Sequence, residues 1–195
     1  MENKKMNDHQ KHWYMEEIAI HSMFACLEYN NIKEVLADEE LKQTRFVWGH
    51  MTSLLGHCAM VSKFLDPIRP DEVSTSRSVE LNKHFNLPHY SRELFRAARD
   101  NLEHFDERID NWLKNDFNNN IECVFPDRKS YEFSAPQDIS IRRVLVEDGM
   151  IFISEGRNSE RVEVPLSVLI SSMESIFAVA NEWCRNKTPY HFIQP

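Results

Sequence analysis

Nine histidines in a chain of 195 residues are the first group whose types and spacing could do chemistry. Imidazole changes charge near neutral pH and is the commonest metal ligand among side chains. At about 100° of helix per residue, His21 falls inside an apolar stripe, between Ile18 and Ala25. His50 and His57 lie seven residues apart on one edge of a second stripe, beside Val61. Two helical turns separate them by about 10 Å, too far to share one metal ion without a ligand from another helix. A His-rich metal-binding bundle would use His21, His50, His57 and His104 with Glu17 or Glu103, yet the Glu-x-x-His pairs of di-iron bundles are missing. The plainer alternative for an inward histidine is a core residue with a hydrogen-bond partner.

The segment Phe95 to Arg108 carries a denser pattern. Asn101, His104 and Arg108 follow one another at three and four residues and so border the apolar face of one helix. As an ordinary charged edge, with pairs such as Arg99 to Glu103, it would be worth only tenths of a kcal/mol. The same segment reads Arg99-Asp100-x-x-x-His104. With 13 arginines and 9 histidines, chance supplies about 0.6 pairs at this spacing, and Arg45 with His50 is a second one. Requiring Asn, Asp or His after the arginine lowers the expectation to about 0.1, and only Arg99 satisfies it, because Phe46 follows Arg45.

The elements that must position these residues are mostly helices. Tyr14, Ile18, Ala25, Ile32 and Leu36 recur at helical spacing over Trp13 to Leu36, and Val47, Met51, Leu54, Cys58, Val61 and Leu65 form a second stripe from near Glu40. Asp66-Pro67 ends that helix. A short helix is predicted around Val79 to Phe85. A third long one follows, capped by Ser91, with Leu94, Ala98, Leu102, Phe105, Ile109 and Trp112 on its apolar side, and it ends in the polar run Asn115 to Asn120. The period then changes: Ile121 to Phe125, Ser130 to Phe133 and Ile139 to Val146 are β-prone. Glu147-Asp148-Gly149 reads as a hairpin turn into Met150 to Ser154, and a second turn leads to Arg161 to Val164. A last helix runs from Val168 to about Arg185. The predicted fold is mainly α: a four- or five-helix bundle with a small antiparallel β-meander inserted before the last helix. It forms a single domain over 1–195, with 121–165 as the insertion.

Composition agrees. Four glycines and eight prolines suit helices better than a Gly-punctuated sandwich or a dinucleotide-binding sheet. Cys26, Cys58, Cys123 and Cys184 are too far apart for a zinc knuckle and read as apolar thiols in a reducing compartment. The sequence has no run of about 18 apolar residues, so a cytoplasmic protein without a membrane span is expected. The net charge of −8 excludes coating of long nucleic acid by a basic surface, though a small cleft holding Arg96, Arg99 and Arg108 could take one phosphate.

The Arg99-Asp100-x-x-x-His104 motif on an inward-facing helix resembles the HEPN (higher eukaryotes and prokaryotes nucleotide-binding) family. Many members of that family are metal-independent endoribonucleases of toxin–antitoxin and phage-defence systems. The resemblance covers the six-residue motif and the helical architecture, and it does not extend to the strands. It implies cleavage of RNA through the ribose 2′-hydroxyl, with Arg99 and His104 catalytic. His104 would act as general base on the 2′-hydroxyl or general acid on the leaving oxygen, and Arg99 would hold the scissile phosphate. Asp100 and Asn101 would orient these groups or touch substrate, and Arg108 would support binding. One motif brings one histidine, so the resemblance implies a homodimer with a composite site, an antitoxin protein as a further partner, and no metal or cofactor. A non-catalytic accessory or interaction protein, with a strand edge for its partner, is the alternative.

Overall fold

The computed structural model describes residues 6–42, 45–87, 89–104, 106–107, 109–110, 121–136, 141–155 and 160–187. Among the described residues, the main elements follow in the order α1 (Asp8–Leu36), α2 (Arg45–Leu65), α3 (Glu72–Asn82), α4 (His89–Glu103), β1 (Ile121–Phe125), α5 (Arg128–Ser134), β2 (Ile141–Val146), β3 (Ile151–Glu155), β4 (Arg161–Pro165) and α6 (Leu166–Lys187). The molecule is thus mainly helical, with a small sheet inserted before the last helix, as the sequence pattern predicts.

Helix starts differ from the apolar periodicity because caps, and not apolar residues, set them. The Asn7 side chain accepts from the Gln10 amide while Gln10 reaches back to the Asn7 amide, so α1 opens five residues before Trp13. The start of α2 moves the other way. Asp38 gathers the amides of Glu40, Leu41 and Lys42 into a turn, so the helix begins at Arg45 and not near Glu40. Asp71 and Ser74 form a reciprocal cap that starts α3 well before Val79. Ser91 lies inside α4 and does not cap it; its hydroxyl pairs with that of Ser172 on α6 at 2.9 Å. The polar run 115–120 lies outside the described residues.

In the insertion, β2, β3 and β4 form the antiparallel meander, and β1 joins it parallel to β2. The reason is α5. Asp127 accepts from the Ser130 amide at 2.8 Å and caps a short helix over Arg128–Ser134, where β propensity alone suggests a strand. With a helix crossing between them, β1 and β2 pair in the same direction. The β2–β3 turn bends at Gly149, whose φ of 81° falls in the left-handed region that glycine enters without strain.

Alternation along the strands gives the sheet two apolar faces. Val124, Leu145, Phe152 and Val164 join the helical core, whereas Val144, Val146 and Ile153 face a second cluster with Tyr131 and Ala135 of the α5 segment. The sheet is therefore a middle layer between α5 and the bundle. In the bundle, α1 packs along both α2 and α6, and α4 packs along α2. Met15, Ile18, Ile32, Met51, Leu54 and Leu169 are fully enclosed there. Among the described residues, no helix is long and apolar enough to cross a membrane.

Candidate functional site

The motif helix α4 begins beside the end of α2, and that junction decides where Arg99 points. A helix leaves its last carbonyls without donors of its own. Here α3 and α4 supply them. Arg77 donates to the carbonyls of Lys63 and Phe64 at 3.0 and 3.3 Å, and Ser78 and Asn82 donate to the Leu65 carbonyl at 2.6 and 2.7 Å. Arg99 completes the set: its Nη1 donates to the Asp66 carbonyl at 3.0 Å and to Ser62 Oγ at 3.2 Å. Its side chain is almost wholly enclosed, with 3% exposure, and its Nε is buried with no hydrogen-bond partner. A guanidinium near a helix C-terminus also meets the negative end of the helix dipole.

The other residues of the motif go elsewhere. Asn101, also buried, donates to Ser154 Oγ on β3 and so ties α4 to the sheet. His104 follows the last residue of α4, and its Nδ1 is 3.1 Å from a carboxylate oxygen of Glu107, with the ring partly open to solvent. Five residues at about 100° each place Arg99 and His104 about 140° apart around the helix, one turned into the bundle and the other toward Glu107. Asp100 is half-buried and its charge bears on Arg96. Arg108 and the side chain of Glu103 lie outside the described residues. The carboxylate of Glu107, adjacent to His104 in space, was not singled out by the sequence reading; its i+3 spacing was the available signal.

Arg96 does not join Arg99 in a phosphate cleft. Its guanidinium holds both carboxylate oxygens of Asp66 as a fork, and that contact keeps the Asp66 carboxyl below the usual carboxylate range. Arg92 donates to Asn82 at 3.1 Å. The cations of this face are therefore committed largely to the junction between α2, α3 and α4.

The remaining histidines of interest meet across the seam of α1 and α2. His21 Nδ1 and His57 Nδ1 stand 2.9 Å apart, so one ring donates and the other accepts. Phe24 stacks on the His57 ring at 5.4 Å between centroids, and Glu17 lies 3.7 Å from His21 Nε2. Burial lowers the proton affinity of both rings; for His57 the neighbouring His21 lowers it further, while Glu17 opposes the shift at His21 and Glu28 at His57. His50 is separate, its Nδ1 2.6 Å from Glu28. The four histidines read as candidate metal ligands are thus divided among three places. Among the described residues, no group of three or more His, Cys, Asp or Glu side chains is arranged to hold a metal ion. None of the four cysteines is joined in a disulfide, and burial raises the Cys26 and Cys184 thiols to about 11.

Comparison of the chain with family models, curated proteins and solved structures finds no match to any of them.

Proposed function

We propose that the chain is a HEPN-like, metal-independent endoribonuclease that cleaves RNA through the ribose 2′-hydroxyl, with His104 as the proton-transferring group. The observation that carries this reading is the His104–Glu107 pair at the end of the motif helix: a partly exposed imidazole whose Nδ1 is held by a carboxylate. Such a carboxylate fixes the ring's orientation and tautomer, which a general base or acid requires. The burial of Arg99 changes its role from the one the resemblance implies. It is a positioning residue that locks α4 onto the end of α2, and Asn101 does the same toward β3. Phosphate binding then falls to Arg108 of the motif stripe. Since one chain brings one His104, acid and base together call for a second copy, and an antitoxin protein is the further partner of this reading.

The experiment is cleavage of a mixed-sequence RNA in EDTA by the wild-type protein, His104→Ala and Glu107→Gln. Cleavage should survive EDTA, fall at least a hundredfold in His104→Ala and fall less in Glu107→Gln. Equal cleavage by wild type and His104→Ala, or none by wild type, would defeat the proposal.

A second reading, a non-catalytic interaction protein, is favoured by one observation. Ile20, Met23, Phe24 and Leu27 of α1 form a stripe at helical spacing in which each is 36–48% exposed. Absence of RNA cleavage by protein with His104 intact would leave this reading standing.

A further inference from the structure

Away from the motif helix, the contact between His21 and His57 has the makings of a metal site, and we propose that these two residues bind one divalent transition ion of the zinc class through their Nδ1 atoms. The proposal is independent of the nuclease reading, which uses neither residue.

The geometry is close to what such an ion needs. Two imidazole nitrogens on a tetrahedral zinc ion at about 2.05 Å stand about 3.3 Å apart. The Nδ1 atoms of His21 and His57 are 2.9 Å apart and their ring centroids 5.2 Å apart, so entry of the ion opens the contact by a few tenths of an ångström and turns each ring until its lone pair meets the ion beside the line between them. The rings come from different helices, and α1 and α2 are packed along their length, which fixes the pair without a loop. Both rings are partly exposed, so an ion can reach them.

In the free pair one Nδ1 carries a proton and the other accepts it. On binding, that proton moves to the Nε2 of the same ring, so two neutral imidazoles present two lone pairs and no net proton is released. Glu17 then has a defined part: its carboxylate lies 3.7 Å from His21 Nε2, and a shift of about 0.7 Å lets it accept the N–H of this tautomer. A carboxylate on the outer nitrogen of a ligating histidine raises its basicity and fixes its tautomer. With two protein ligands, one fewer than open zinc sites usually draw from the chain, the other coordination positions fall to water or to an incoming anionic or carbonyl group.

The test uses the full chain, freed of metal, and titrates it with Co²⁺ and then Zn²⁺ alone. One Co²⁺ per chain should bind with a visible ligand-field band that Zn²⁺ displaces. His57→Ala and His21→Gln should each weaken binding at least tenfold, Glu17→Gln about tenfold, and His50→Ala should leave it unchanged. Thermal melting without metal establishes that each variant is folded, and His21→Gln keeps a polar side chain of similar length should His57→Ala fail to fold. Absence of a saturable band, or binding that persists undiminished in folded His21→Gln, would overturn the proposal. Neither result bears on RNA cleavage in EDTA, so this site and the nuclease reading fail separately.

Discussion

Replacing Arg99 by alanine separates a structural arginine from a phosphate-binding one. The wild-type guanidinium is enclosed and makes two hydrogen bonds, to the Asp66 carbonyl and Ser62 Oγ. Charge-assisted bonds of this kind contribute about 2 kcal/mol each, and burying three methylenes of the side-chain stem adds about 2 kcal/mol. Against this, the partnerless Nε costs about 2 kcal/mol in the folded protein and is removed by the substitution. The net loss is about 4 kcal/mol, which for a chain of this length lowers Tm by about 8–16 °C. Arg96→Ala is the control. Its guanidinium is more than half exposed in its pair with Asp66, so screening by solvent keeps the loss at or below about 1 kcal/mol. Differential scanning calorimetry of wild type and both variants measures this directly. If Arg99→Ala melts within about 2 °C of wild type, Arg99 does not lock the end of α2, and its role as a positioning residue is refuted.

Four further outcomes follow from the same contacts. Asn101→Ala leaves the buried Ser154 hydroxyl without its partner on α4 and should cost about 1–3 kcal/mol in urea unfolding; a change within error would mean that the α4–β3 tie carries no energy. Phe152, 1% exposed where the sheet meets the bundle, should cost about 3–5 kcal/mol as Phe152→Ala, and a loss below about 1 kcal/mol would contradict the sheet's place in the core. Gly149→Ala places a Cβ at a φ of 81° and should destabilise by about 1 kcal/mol, read from the same curves. His84 is held below the ordinary histidine value by burial and then by Lys11, so the unfolded chain takes up this proton first. Stability is full above pH about 6.5 and is lost as pH falls through the lower folded-state value; His84→Gln should remove part of that decline, and an unchanged pH profile would deny it.

The helical bundle was legible because its stripes are long: Val47, Met51, Leu54, Cys58, Val61 and Leu65 are buried as their spacing requires. Boundaries were less so, since Asn7 with Gln10 and Asp71 with Ser74 are polar pairs that apolar periodicity ignores. The parallel pairing of β1 depended on a single capping residue, Asp127, that turned a β-prone stretch into α5. For the motif, its helix was legible and its partners were not. Helical phase puts Arg99 on the flank of the apolar stripe, about 100° from Ala98, and only the descent of α2 to Asp66 covers that flank with carbonyls and encloses the side chain. His21 and His57 show the same limit. His21 falls inside one apolar stripe and His57 at the edge of another, and their 2.9 Å contact depends on how the two stripes align across the seam of α1 and α2.

The proposed chemistry is tested most directly by the ends of the cleaved RNA. Attack by the ribose 2′-hydroxyl, with His104 moving the proton, leaves a 2′,3′-cyclic phosphate and a 5′-hydroxyl, so mass spectrometry of fragments made in EDTA should find those ends. RNA carrying 2′-O-methyl groups should remain intact, as should unmodified RNA with the His104→Ala protein. Fragments ending in a 3′-hydroxyl and a 5′-phosphate, or cleavage of the methylated RNA, would contradict the account.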